Sequence, residues 1–258
     1  MDIESLFVRK RNVLMSRGCF TDLYTDFYLH LRQYQIELSE GHADIFKAAL
    51  AAFTLHSAAR PRREHLSWTL SFQRPLFNIF LVADTSESTV AGRVFTENVK
   101  SAKKNSFYQE VVSSSHPLTQ SYVDFSGPDP LLAAERFYEQ SEQRPARFFQ
   151  MANEEYIILS AHPDYDRDWF RSLTFQDVAQ IAEAESLSLL ETRKYRWHCG
   201  CTLEKIYATI ANLYYADPEG LFQNSLSLTA NCPRCAAHYT LERAILDQYL
   251  ETLSQEQG

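Results

Sequence analysis

Two cysteine pairs in the last quarter of the chain carry its clearest chemistry. Trp197-His198-Cys199-Gly200-Cys201 holds a Cys-x-Cys pair, and thirty residues later Asn231-Cys232-Pro233-Arg234-Cys235 holds a Cys-x-x-Cys pair. Two intervening residues let both sulfurs turn toward one point, the knuckle geometry of zinc ligation. One intervening residue is tighter and works when that residue is small, as Gly200 is. Four thiolates at ~2.3 Å complete a tetrahedral Zn²⁺ and leave no open position for catalysis. Cys199, Cys201, Cys232 and Cys235 are therefore read as ligands of one zinc ion. His198 or His238 could replace one of them in a Cys₃His set and otherwise flank the site. The fifth cysteine, Cys19, stands apart and reads as a small apolar residue.

The rest of the composition narrows the chemistry. The chain has 258 residues, 45% of them hydrophobic and 22% charged, which suits one large domain or a medium one plus a small one. A net charge of −8 opposes binding to phosphate backbones. From Trp197 onward three basic residues face seven acidic ones, so a nucleic-acid partner is disfavoured there too. No stretch approaches the roughly 20 apolar residues of a membrane span, and Met1-Asp2-Ile3-Glu4-Ser5 does not open a signal peptide. The expected compartment is the cytoplasm, where clustered cysteines mean metal or redox chemistry, not a disulfide framework. With only seven glycines the chain lacks phosphate-binding loops, and neither His-Glu-x-x-His nor Gly-x-Ser-x-Gly occurs. No enzyme is expected.

The elements that must position the cysteines read as α+β. Residues 42–57 have helical periodicity, with Ile45, Ala49, Ala52, Phe53 and His56 on one face. Trp68, Leu70 and Phe72 alternate as a half-buried strand, Leu76 to Val82 reads as a strand buried on both faces, and Val90 to Phe95 continues the sheet. Asp129-Pro130 starts a helix through Leu131, Ala134, Phe137 and Tyr138. Ala146 to Met151 and Tyr156 to Ser160 form a hairpin across Asn153-Glu154. Phe175 to Arg193 has no Gly or Pro and reads as a helix linking two domains. Thr202 caps a helix carrying Leu203, Ile206, Tyr207, Ile210 and Leu213, which Asp217-Pro218-Glu219-Gly220 breaks. A last helix holds Leu241, Ile245, Tyr249 and Leu250.

The cysteine order resembles that of the heat-shock protein 33 family of redox-regulated chaperones. So does Asn231-Cys232-Pro233-Arg234-Cys235-Ala236-Ala237-His238-Tyr239, with its trailing tyrosine. The stretch Phe137-Tyr138-Glu139-Gln140-Ser141-Glu142-Gln143-Arg144-Pro145 is similar to that family's Tyr-Phe-x-x-Ser-Glu-Gln-x-Pro signature, and Arg17-Gly18 sits in a plausible place. The resemblance implies an N-terminal mixed α/β substrate-handling domain (1–168), a helical linker (169–196) and a small C-terminal Cys₄ zinc domain (197–258). It implies an ATP-independent holding chaperone for unfolding or oxidatively damaged client proteins. Zinc-bound thiolates keep such a protein inactive. Disulfides Cys199–Cys201 and Cys232–Cys235 release zinc and activate it, with a homodimer forming on activation. The sequence departs from the family at two usually glycine-rich turns, which here read Phe72-Gln73-Arg74-Pro75 and Tyr156-Ile157-Ile158-Leu159-Ser160-Ala161-His162. After the Cys-x-Cys pair, Thr202-Leu203-Glu204-Lys205 replaces a serine-arginine region.

Other readings of the same residues are a non-enzymatic binding module with a purely structural zinc, and a thiol oxidoreductase using Cys232-Pro233-Arg234-Cys235. The latter lacks a thioredoxin-like strand context. Ser141-Glu142-Gln143 reads as a helix end and turn, and His162-Pro163 with Asp164, Asp166 and Asp168 as a solvated loop.

Overall fold

The computed structural model describes residues 1–256, with side chains through Thr252. Strands β1 (Asp2–Val8) and β2 (Val13–Cys19) precede helices α1 (Thr21–Gln33) and α2 (Glu40–Ala58). Next come β3 (Glu64–Gln73), β4 (Leu76–Asp84), β5 (Thr89–Phe95), β6 (Asn105–Ser113) and β7 (Thr119–Phe125). Helix α3 (Pro130–Gln140) leads to β8 (Ala146–Gln150) and β9 (Glu155–Ala161). Short helices α4 (Arg167–Ser172), α5 (Phe175–Ala179) and α6 (Ile181–Ala184) are followed by β10 (Leu187–Lys194) and β11 (Arg196–Trp197). The chain ends with α7 (Leu203–Ala216), α8 (Pro218–Phe222), the ribbon β12 (Ser227–Asn231) and β13 (His238–Glu242), and α9 (Arg243–Glu256).

Beside the two-stranded β12–β13 ribbon, the described residues form two large sheets, in the orders β10-β1-β2-β9-β8 and β11-β5-β4-β3-β6-β7. Helix α2 packs against strands of both sheets. Enclosed on all sides, it buries every residue from Ala49 to Ala58, so the one-faced helix expected over 42–57 is in fact the central element of the core. Ser39 caps its start by accepting from the His42 amide. Around it pack Trp68, Phe72, Phe77, Phe107 and Phe137. Strand β3 alternates as expected. Strand β4 differs from expectation: Phe77, Ile79, Leu81 and Ala83 are buried, whereas Asn78, Phe80, Val82 and Asp84 are only half-buried. One face lines the core and the other faces outward, which is the pattern of an antiparallel sheet with one covered face.

Helix α3 begins as the sequence predicts, Asp129 accepting from the Leu131 amide with Pro130 in the first turn, and the β8–β9 hairpin forms. The continuous helix expected over Phe175 to Arg193 does not. Helices α5 and α6 cover the outer face of the first sheet, placing Val178 and Ile181 beside Leu6, Val13 and Leu159. The chain then turns extended, and β10 pairs antiparallel with β1 from Leu187↔Val8 to Lys194↔Asp2. The helical half of the linker is thus short, and its second half is the edge strand of the first sheet. Long-range pairing has overridden local helix propensity.

The C-terminal region has its own small core of Ile206, Tyr207, Tyr214, Phe222, Leu246 and Leu250. Thr202 caps α7 by accepting from the Lys205 amide, and Asp217 starts α8. Leu241, expected on the last helix, lies on β13. Leu213, expected on the apolar face of α7, is exposed. Among the described residues no helix is long and apolar enough to cross a membrane.

Candidate metal centre

The two cysteine pairs reach one point from different elements. Cys199 and Cys201 lie in the loop between β11 and α7, and Gly200 between them has φ +66°. That left-handed backbone is strained for any side chain, which explains glycine there. Cys232 and Cys235 form a knuckle in the turn of the β12–β13 ribbon. The Cys232 amide donates to the Ala237 carbonyl and the Ala236 amide donates to the Cys232 carbonyl, both at 2.9 Å.

The four Sγ atoms lie within 4.8 Å of one another. Cys199–Cys232 is 3.7 Å and Cys201–Cys235 is 3.5 Å. Sulfurs bound at ~2.3 Å around a tetrahedral ion are about 3.8 Å apart, so the donor set fits such an ion, and its softness suits zinc. Among the described residues this is the cluster able to hold a metal. His198 and His238 stay outside it. His238 Nδ1 instead lies 2.7 Å from Asn231 Oδ1, and His198 lines a cleft beside Cys199.

Packed this closely, the four thiols push one another's acidities in opposite directions. A hydrogen bond from Cys199 pulls Cys201 below the usual thiol range, while the Cys201 partner holds Cys199 up. The Cys199 thiol likewise lowers Cys232 and raises Cys235. A divalent cation removes this competition by favouring the thiolate at each position. Tyr239, flagged in the sequence as a trailing tyrosine, donates its hydroxyl to Cys201 Sγ at 3.1 Å.

The cluster is seated on the N-terminal region. Cys232 and Cys235 are 2% and 1% exposed, packed with Ala91 of β5 and Ala237, whereas Cys199 and Cys201 are half-buried. Strand β11 runs parallel to β5, and the His198 amide donates to the Val90 carbonyl at 2.9 Å. Trp197 packs on Phe27, His30 and Phe46. Arg93 donates from Nη1 to the Cys232 carbonyl at 3.1 Å, and His30 Nε2 lies 2.8 Å from the Cys235 carbonyl. Burial pulls the Arg93 guanidinium down, opposed by Cys232 and Cys235 beside it. Sequence reasoning missed His30, Arg93 and the whole of α1. One signal was available: Arg93 interrupts an otherwise apolar strand.

The remaining sequence candidates lie elsewhere. Cys19, read as a small apolar residue, is exposed at the end of β2, where its thiol donates to the Asn153 carbonyl at 3.4 Å. Glu142 faces Arg60 at 3.6 Å at the end of α3, in keeping with a structural turn. Asp166 pairs with Arg11 at 2.6 Å and caps α4.

Comparison with known proteins now bears on this geometry. The family model described as Hsp33 protein matches residues 150–242, a span that contains all four cysteines. Over residues 150–242 the chain is thus similar to the Hsp33 family. A 33 kDa chaperonin from Nitrosococcus oceani is 23% identical, over 50% of this chain and 52% of its own length. The match thus spans about half the length of that relative. The crystal structure of the 33 kDa chaperonin (heat shock protein 33 homolog) from Thermotoga maritima covers 98% of this chain and 99% of its own. It has a TM-score of 0.75 and 14% identity. The Hsp33 fold therefore extends over the whole chain, although the family model matches only its second part.

Proposed function

We propose that this chain is an ATP-independent holding chaperone of the Hsp33 kind, acting in the cytoplasm and switched by its cysteines. We divide it into a substrate-handling domain (1–168), a linker (169–196) and a zinc-binding redox-switch domain (197–258). The observation that carries the reading is the convergence of four sulfurs beside the second sheet of the N-terminal region.

In the resting protein Cys199, Cys201, Cys232 and Cys235 are the zinc ligands. When bound, zinc holds the thiols deprotonated and contributes on the order of 10 kcal/mol to folding of the residues around it. A thiolate attacks the oxygen of a peroxide, giving a sulfenic acid and hydroxide. The neighbouring thiolate then displaces a second hydroxide and closes the disulfide. Cys199–Cys201 and Cys232–Cys235 are the proposed pairs. Disulfide formation consumes the metal's donors, and a small core cannot hold the C-terminal domain without them. Its departure uncovers Ala91, Val82 and Tyr34, the N-terminal side chains packed against the cysteine cluster. Unfolding clients bind such apolar surface, and two activated copies can associate through it. No catalytic group is assigned.

The test pairs zinc content with suppression of client aggregation, before and after hypochlorite or peroxide with heat. Zinc release accompanied by client protection is expected. Verified zinc loss without any gain in protection would refute the switch.

A further inference from the structure

Two side chains of the N-terminal region hold the backbone of the Cys-x-x-Cys knuckle. His30, in the last turn of α1, reaches the Cys235 carbonyl, and Arg93, on β5, reaches the Cys232 carbonyl. They come from different elements and hold the two cysteines whose side chains are most buried. Arg93 is fixed from behind by Phe95, its guanidinium carbon 4.1 Å from the ring centroid. His30 is fixed by packing on Tyr34 and Trp197.

The carbonyls that Arg93 and His30 reach belong to the same two residues whose sulfurs point at the other cysteines. Side chain and carbonyl share one backbone, and the two amide–carbonyl bonds within the turn make that backbone stiff. One knuckle backbone conformation thus serves both the sulfur cluster and the contact with the N-terminal region. A tetrathiolate zinc site also carries net negative charge, and Arg93 brings a fixed positive charge against it in a half-buried setting, where screening is weak.

We infer that His30 and Arg93 are positioning residues that couple metal retention to docking of the C-terminal domain on β5. Metal binding and docking are then one linked equilibrium: whatever strengthens one strengthens the other by the same factor. This rests on the metal reading of the four cysteines. It adds that residues outside the zinc domain set how readily the metal leaves.

The test uses the full chain loaded with zinc and two readouts. Zinc release to a chromogenic chelator is timed, and amide exchange is followed by mass spectrometry across 196–198, 231–239 and, as a control, 64–73. His30→Phe keeps the packing on Trp197 and removes the hydrogen bond. Arg93→Leu removes the charge and the donor. Each is expected to speed zinc release about tenfold, the scale of one hydrogen bond in a partly buried setting, and to raise exchange at 196–198 together with 231–239. His30→Gln and Arg93→Lys, which restore a donor, are expected to recover much of the loss. In the reciprocal arm, stripping zinc from the unaltered protein is expected to deprotect 196–198 while 64–73 stays protected.

Release rates within twofold of the unaltered protein in both variants would overturn the coupling. So would zinc loss that leaves 196–198 protected. A purified chain that binds no zinc would instead refute the metal reading itself, and a coupled, zinc-loaded protein that protects no client would refute only the chaperone reading.

Discussion

The N-terminal and C-terminal regions solve the same stability problem by different means. The first wraps two sheets around α2 and buries large side chains there, Phe53 of α2 itself and Trp68, Phe107 and Phe137 around it. The second has a thin core built from α7, α8, α9 and one ribbon, with Leu213, Tyr215 and Leu226 left exposed. It closes through four sulfurs instead. A region held by packing loses stability gradually as side chains are trimmed. A region held by a metal loses it all at once when the donors are altered. Under the proposed function, that contrast would make the C-terminal region the seat of the switch and the N-terminal region a fixed platform.

Metal removal tests the contrast most severely. Chelation of zinc is expected to cost the C-terminal region on the order of 10 kcal/mol, enough to unfold residues 197–252 while the first sheet and strands β3 to β7 persist. Hydrogen exchange and a split thermal transition would check it; a single transition shifted as a whole would mean that the regions are not separable.

Packing supplies the converse case. Trp68 is fully buried and its indole donates to Gln109 Oε1 at 2.7 Å. Trp68→Ala is expected to destabilise the N-terminal region by about 3–5 kcal/mol, measured by urea unfolding, with zinc stoichiometry unchanged at low urea.

Acid should separate the regions more gently. Burial, followed by the charges of Arg60 and Arg144, holds the His56 imidazole well below its usual range. Its Nδ1 lies 2.8 Å from the Tyr138 hydroxyl. Below the ordinary imidazole value the unfolded chain takes up a proton that folded His56 refuses, so the unfolded state gains. Stability present above that value is lost as pH falls, at a slope of up to about 1.4 kcal/mol per pH unit. Urea midpoints between pH 7 and pH 5, compared with those of His56→Gln, should show the slope shrink in the variant.

The smallest effect belongs to the metal loop. Gly200→Ala forces a methyl into left-handed backbone and is expected to cost about 1 kcal/mol, read as several-fold weaker zinc binding in a chelator competition. An unchanged affinity would mean that the loop relaxes without disturbing Cys199 and Cys201.

Much of the site was legible before folding, because its information is short-range. Each cysteine pair carries its own spacing, Gly200 announces the tight turn, and Asp129 and Thr202 mark helix starts within a few residues. The β3 and β8–β9 strands were legible for the same reason. What the sequence alone did not reveal depends on partners far along the chain. Residues 187–194 have the composition of a helix and become a strand because β1 offers an unpaired edge. The periodicity of α2 implies one covered face, yet two sheets enclose it.

By itself, then, the sequence determined the four converging cysteines, the helix caps and the α+β class, since bond geometry and local backbone chemistry act over a few residues. Only the tertiary structure decided that the cysteine knuckle sits against β5, that His30 and Arg93 grip its carbonyls, and that Cys199 opens on a cleft while Cys232 is covered. Such contacts join residues up to 205 positions apart. They exist only after two sheets and a helix have excluded water from between them, and no local pattern encodes that event.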